Sequence, residues 1–230
     1  AEHFSEETSS TRKTLAPLIK QCVQAGKKAT LVQDHLKVDG KLYNIDNVHN
    51  IPDIDSQLPH VKQNQSTIAF NGRLSWLSNF NGSKFTIGTK TFSSNEQYYQ
   101  YRRAQASGNM KVAAQIMATN DPVAQKRLGD STGLLKDEWE SENAMLEGVI
   151  AKFSQNRRHY EYLQSTKGKS LLHTNASDNV WGTGSSMYEK DVLNKSHPGK
   201  NLLGNMLMEV RDHDLAALNG PVTPQRAVLP

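Results

Sequence analysis

Apolar positions along this chain change period several times, and each change marks an element. From Thr14 to Ala25 they recur at Leu15, Leu18, Ile19, Cys22 and Val23, one face of a 3.6-residue repeat, and Gly26 can close such a helix. The next stretch, KATLVQDHLKVDGKLYNID, reads as short strands around turns, with Asp39-Gly40 as a hairpin signal between Val38 and Leu42. Residues 50–65 carry two prolines and few large apolar side chains, and they read as a linker. Beyond it, Thr67–Phe70 reads as a strand, 72–82 as loop, and Phe85–Thr91 as a strand with a turn at Gly88. Helices are predicted from Glu96 to about Ser107, over Met110–Met117, and from the Asp121-Pro122 start to near Gly129. A longer one is predicted over Asp137–Gln155, where Trp139, Met145, Val149, Ile150 and Phe153 fall at helical spacing. Arg158–Ser165 reads as a helix, Leu171–His173 as a strand, and Leu202–Val210 as the last helix, with Leu203, Met206, Leu207 and Val210 on one face. Helices dominate, and the strands do not alternate with them as in βαβ units, which predicts an α+β fold with a small amino-terminal helix-hairpin segment. The organisation expected is residues 1–60 as an accessory segment and linker, 66–215 as the main domain, and 216–230 as an extended tail.

Composition narrows the class. The 230 residues are 36% apolar with a mean hydropathy of −0.65, the profile of a soluble globular protein. No apolar run approaches the ~20 residues of a membrane span. The stretch AEHFSEETSSTRK lacks the apolar centre of a secretory signal, and Cys22, the one cysteine, makes no disulfide within the chain. An intracellular protein with no membrane partner is expected. A lone cysteine excludes a cysteine-based zinc site, the eight histidines are scattered, and neither a metal nor a cofactor is expected. No P-loop and no Ser-His-Asp order occurs. The net charge of +4 and pI near 9.0 lean towards an anionic partner.

The densest chemistry lies in IGTKTFSSNEQYYQYRRA, Ile87 to Ala104. Ser93, Ser94 and Asn95 are all suitable N-caps, which sets Glu96 in the first turn of a helix. An acid there is favoured by the free backbone N–H groups and the helix dipole. Tyr99, Gln100 and Arg103 follow at offsets of three, four and seven and share its face. The outcome is either a capped surface helix with an ordinary ion pair, or an acid at the mouth of an aromatic-lined pocket.

A resemblance favours the pocket. RLSWLSNF (Arg73–Phe80), KTFSSNEQYYQYRRA, Trp139, AKFSQN (Ala151–Asn156), DNVWGTG (Asp178–Gly184) and GKNLLGNMLMEVR (Gly199–Arg211), in this order, resemble the NADAR family, the YbiA-like proteins, over about residues 67–215. The resemblance implies a mainly helical YbiA-like domain that hydrolyses an N-glycosidic bond. Its implied substrate is an ADP-ribose-type conjugate, with removal of ADP-ribose from guanine in DNA or RNA, or else an amino-pyrimidine ribose phosphate. A third implied reading is an ADP-ribose or NAD binder without catalysis. The block before the family match resembles a short segment in the open reading frames of some retroelements lacking long terminal repeats, which tilts the reading towards nucleic acid.

The resemblance also assigns residues. It places acids at Glu96 and Asp178, the pair that would divide the work on an oxocarbenium-like sugar. It makes Trp139 a pocket residue, and it matches Lys90 and Lys152 to lysines, of which Lys90 is taken as the Schiff-base nucleophile. At the end of the Glu96 stripe the family carries lysine and this chain carries Arg103, which stays protonated and forms no imine. Asn79, Phe80, Tyr99, Arg103, Trp139, Lys152, Trp181, Gly182, Gly184 and Asn201 complete the expected substrate contacts. The glycines would let backbone N–H groups approach phosphates, and Trp139 and Trp181 would line the pocket. Asn201 is equally a natural N-cap for the last helix.

Overall fold

A computed structural model describes residues 28–32, 35–44, 61–187 and 189–213, together with Ile19 and Val23. The chain divides into two compact units, Ala1–His60 and Val61–Pro230. In the first, β1 (Ala29–Val32), β2 (His35–Val38) and β3 (Lys41–Asn44) form an antiparallel meander. Asp39 and Gly40 turn β2 into β3 with φ of 47° and 88°, the left-handed pair that a two-residue hairpin requires. The Asp39 side chain closes the motif, accepting from Lys28 N at 2.8 Å. Ile19 and Val23 are helical. The rest of the predicted first helix, residues 50–60 of the predicted linker and the tail lie outside the described residues.

In the second unit β4 (Val61–Gln63), β5 (Thr67–Phe70) and β8 (Ser170–His173) form one sheet, with β5 central, antiparallel to β4 and parallel to β8. All four β5 residues are buried, as a strand paired on both edges and covered on its faces should be. β4 lies inside the expected linker. Lys62 and Gln63 are exposed, so this edge strand leaves no apolar alternation to read. β6 (Phe85–Ile87) and β7 (Lys90–Phe92) form a hairpin around Gly88, whose φ is 62°.

The helices are α1 (Asn95–Ala106), α2 (Met110–Met117), α3 (Pro122–Asp130), α4 (Ser141–Gln155), α5 (Arg157–Ser165) and α6 (Leu202–Asp212). Among the described residues of this unit, six helices with small sheets make the α+β class expected. α1 is the central one. Ser94 caps it, accepting from Gln97 N at 3.2 Å, while Gln97 returns to accept from Ser93 N at 2.7 Å. The Gln97 amide also donates to the carbonyls of Ile116 and Thr119 at 3.1 Å, which pins the start of α1 to the end of α2. Eight of the twelve α1 residues are buried, so this is a core helix despite its polar sequence, and its polar side chains need internal partners. Tyr98, Arg102 and Glu147 supply one such set: the Tyr98 hydroxyl donates to the Glu147 carboxylate, and Arg102 donates to both. That set ties α1 to α4. The apolar core around it joins Ile68 and Phe70 of β5 with Met145, Val149 and Phe153 of α4 and Leu203, Leu207 and Val210 of α6.

The helix predicted over Asp137–Gln155 is interrupted. A single 3₁₀ turn, Lys136–Glu138, precedes Trp139, whose backbone is extended (φ −154°, ψ 173°), and α4 begins at Ser141. The Glu138 carboxylate accepts from Leu135 N at 2.7 Å, and the Ser141 hydroxyl donates to the Lys136 carbonyl at 2.8 Å. These side chains satisfy backbone groups that a continuous helix would have paired. The break swings Trp139 out of the α4 stripe.

Candidate active site

Glu96 stands in the first turn of α1 and is only 6% exposed. Its N–H donates to the Asn79 carbonyl at 3.1 Å, and its carboxylate accepts from the Gln100 amide at 2.8 Å. Burial drives its pKa up from 4.5 to about 7, against the lowering effects of the Gln100 bond, Lys126 and Arg103. A carboxyl in this range exchanges protons at neutral pH, the property wanted in a general acid or base. Of the two readings the spacing left open, the capped surface helix is not what the structure shows: the stripe is buried.

The stripe is held from behind by α3. A side-chain carbon at Gly129 would lie 1.7 Å from Gln100 Oε1, so only glycine lets Gln100 lie in this groove. Arg103 donates to Asp130 Oδ1 at 2.8 Å and to the Leu134 carbonyl through Nε at 2.9 Å and Nη2 at 2.6 Å. Its fork is occupied by protein groups. It acts here as the fastener of the segment after α3, while its charge still acts on Glu96 and Tyr99.

Aromatic rings stand beside this stripe. Tyr99 meets Trp139 at 5.2 Å and Trp181 at 5.6 Å between ring centroids, the second edge-on. Burial raises the Tyr99 hydroxyl to about 12, moderated by its hydrogen bond with Trp181 and the Arg103 charge; Glu96 and Asp178 act on the same hydroxyl. Tyr99 therefore meets both tryptophans, and the charges of Arg103, Glu96 and Asp178 all act on its hydroxyl. The Trp139 indole N–H is buried with no partner among the described residues, an unsatisfied donor next to the ring cluster, and a ligand acceptor that reached it would satisfy it. Lys136, which the sequence patterns did not single out, stands 5.5 Å over the Trp181 ring and bonds Glu142 at 2.7 Å. With Trp139 it lines an open depression of about 230 Å³. No sequence signal marked Lys136, because the break that places it is visible only in the structure.

The Asp178 loop is built on side-chain and backbone bonds. Asp178 Oδ1 accepts from Val180 N at 2.9 Å and Trp181 N at 2.8 Å, an Asx turn that sets Trp181 in place. Gly182 and Gly184 sit where a side chain would strike backbone or Asn179. The N–H of Thr183 donates to the His173 carbonyl and that of Gly184 to the Asp178 carbonyl, both at 2.9 Å, so neither is left for a phosphate. Asn201 stands at the N-cap position of α6, but its backbone is left-handed (φ 51°) and its side chain makes no cap bond. It instead accepts from His173 N at 2.9 Å and donates to the Leu171 carbonyl at 2.8 Å, extending β8 as a neighbouring strand would. Both ends of the amide are used in the fold.

The lysines part company. Lys152 is 1% exposed and donates to the Ser78 carbonyl at 2.9 Å. Burial pulls its pKa down to about 7. The loop it holds is the Ser78-Asn79-Phe80 segment, in which Asn79 accepts from the Asn95 amide at 2.9 Å and carries the Glu96 contact. Phe80 is half-buried at its edge. Lys90 is exposed on the β6–β7 hairpin, 5.8 Å over the Tyr101 ring. Tyr101 and Tyr99 lie two positions apart on α1 and face different ways, so the structure does not bring Lys90 into the Glu96 group.

This α+β domain has the YbiA kind of fold. The NMR structure of the Escherichia coli protein YbiA superposes with a TM-score of 0.53 at 24% identity, covering 67% of this chain and 88% of that one. The chain belongs to the NADAR domain family, whose model matches residues 69–213. It is 31% identical to Protein irg-1 of Caenorhabditis elegans over 127 residues, 53% of this chain and 60% of the relative, so it spans under two thirds of that protein. It is 30% identical to N-glycosidase R617 of Acanthamoeba polyphaga mimivirus over 138 residues, 58% of this chain and 79% of the relative.

Proposed function

We propose that this protein is an N-glycosidic bond hydrolase, and that its substrate is an ADP-ribose-type conjugate, with ADP-ribose carried on guanine in nucleic acid as the preferred form. Family membership and the relative named as an N-glycosidase support the reaction class. The observation that carries the reading to this chain is the Glu96 carboxyl, buried, hydrogen-bonded to Gln100 and raised to about 7 beside Tyr99. Loss of the base leaves an oxocarbenium-like sugar that needs a nearby negative charge and a directed nucleophile. Ionised Glu96 orients the ribose hydroxyls or the water. The Tyr99, Trp139 and Trp181 rings hold the planar leaving base, and the unsatisfied Trp139 N–H offers it a hydrogen bond. Asp178 contributes its charge and the Trp181 turn. Lys136, over Trp181 and at the open side, meets the phosphates.

If an amine adds to the opened ribose, Lys152, rather than Lys90, is the lysine that the fold ties to the Glu96 site, through the Ser78 carbonyl of the loop that holds Glu96 N, and burial lowers its pKa to about 7. Borohydride trapping during turnover separates them: the adduct is expected on Lys152 in the tryptic map, and an adduct on Lys90 would restore the sequence-based choice. The test of the whole reading is product analysis with ADP-ribosylated guanine in an oligonucleotide and with amino-pyrimidine ribose phosphates. Release of free ADP-ribose with restored guanine supports it. Cleavage of only the second substrate replaces the substrate and keeps the reaction. A second reading, a binder without turnover, is favoured by Arg103 at a position where the family carries lysine. It predicts retained ADP-ribose affinity and no product from either substrate.

A further inference from the structure

A second aromatic group lies near the Glu96 site and takes no part in it. Trp76 is 37% exposed. Its indole stacks on the His159 ring with centroids 5.0 Å apart and planes 26° apart, and meets the Tyr162 ring edge-on at 5.6 Å. His159 is itself fixed, its Nε2 lying 2.7 Å from Asn81 Oδ1. Burial, with the Lys152 charge behind it, pulls His159 down to about 4, so the stack is neutral and flat at physiological pH. Successive turns lock the loop that carries Trp76: Ser75 N bonds Gly72 O, Ser78 N bonds Ser75 O and Asn81 N bonds Ser78 O at 3.0–3.1 Å. An indole stacked on one ring, set edge-on to a second and still 37% exposed on a turn-locked loop is a surface on which another flat ring can lie.

Two further observations identify that ring's carrier. The surroundings are basic. Arg158, one residue before His159 and four before Tyr162, is exposed and makes no ion pair among the described residues, and exposed Lys84 is joined to the start of α5, its carbonyl accepting from Asn156 at 3.0 Å. Distance is the second. Asn79, whose carbonyl holds Glu96 N, is three residues after Trp76, which puts the two Cα atoms within about 10 Å even if the loop were extended. That is on the order of one or two nucleotide steps of a single strand.

We propose that Trp76, with His159 stacked on it, Tyr162 edge-on to it and Arg158 on the same helix as both rings, is a stacking platform for a base of single-stranded nucleic acid flanking the one bound at the Glu96 site. The assignment rests on the nucleic-acid reading above and adds to it a surface for the strand. An unmodified strand binds there too, because stacking and phosphate attraction do not require the ADP-ribose group.

The test is fluorescence anisotropy of a labelled, unmodified 12-nucleotide single strand at low salt, with calorimetry of ADP-ribose binding on the same proteins. W76A should weaken the strand by about tenfold or more, given the usual contribution of one base–aromatic stack, with W76F close to wild type. R158E should weaken it and flatten its salt dependence. ADP-ribose binding should be unchanged in all three. Equal strand affinity in W76A and wild type, or no strand binding by the wild type, overturns the platform whatever the enzyme does. Strand binding that depends on Trp76 in a protein that fails to bind ADP-ribose would keep the platform and remove the proposed substrate. W76F guards against a folding defect, since it keeps a ring on the loop.

Discussion

At the residue scale, Glu96 carries the proposed chemistry, and its burial sets how it should respond to pH. Its folded pKa is raised, so its stabilising contribution is complete below the ordinary value near 4.5 and is lost as pH rises through about 7. That difference corresponds to about 3 kcal/mol. Thermal melts of the wild type between pH 4.5 and 8 should therefore fall relative to E96Q, whose side chain does not titrate. The same group predicts activity: kcat/KM should rise with pH through about 7 if ionised Glu96 orients the ribose or water. Trp139 offers a contrasting case. Its indole N–H is buried without a partner among the described residues, so W139F removes an unsatisfied donor and should melt no lower than the wild type. In substrate binding it loses a hydrogen bond, and KM should rise up to about tenfold. Both effects in one variant, read by calorimetry and steady-state kinetics, would separate a ligand-facing donor from a packing residue.

At the element scale, α1 is legible in sequence because its cap, first-turn acid and i, i+3, i+4, i+7 stripe are local features. Its burial is not legible: Gln97, Gln100 and Arg102 look like surface residues, and only their partners on α2, on Glu96 and on α4 make them internal. The same limit explains the α4 start. Trp139 fits the helical spacing, but the Ser141 hydroxyl taking the Lys136 carbonyl ends the 3₁₀ turn, and no periodicity reports that bond. Asn201 was readable as an N-cap by type and place, whereas its work on β8 depends on a strand thirty residues earlier. N201A should accordingly cost about 1–3 kcal/mol in urea unfolding, because it leaves buried groups of His173 and Leu171 without partners. Gly129 is the test of the α3–α1 contact. A methyl there meets Gln100 at 1.7 Å, and G129A should cost about 1–3 kcal/mol of stability and move Gln100 off Glu96. Its activity should shift to a different apparent pKa, whereas a purely structural lesion would lower the rate at every pH alike.

At the scale of the whole molecule, family membership accounts for the fold of residues 69–213, and the physical reading accounts for what is particular to this chain within it. Of the motifs that signalled the family, Trp139 and Trp181 meet Tyr99 directly, Lys152 holds the Ser78 loop, Asn201 holds β8, and Lys90 lies over Tyr101. Among the described residues no helix is long and apolar enough to cross a membrane. The basic balance of the chain finds a local expression in exposed Arg158 of α5 and exposed Lys84, whose carbonyl accepts from Asn156 at the start of that helix.

The central claim is that Glu96 drives N-glycosidic cleavage of an ADP-ribose conjugate. The most direct measurement is the intact mass of a single-stranded oligonucleotide carrying one ADP-ribosylated guanine, followed over time with wild type and E96Q at pH 8. The account predicts that the wild type returns the strand to its unmodified mass and releases ADP-ribose. It predicts that E96Q still binds the strand and cleaves at least about a hundredfold more slowly. Cleavage by E96Q at the wild-type rate, or a modified strand left intact by the wild type, would contradict it.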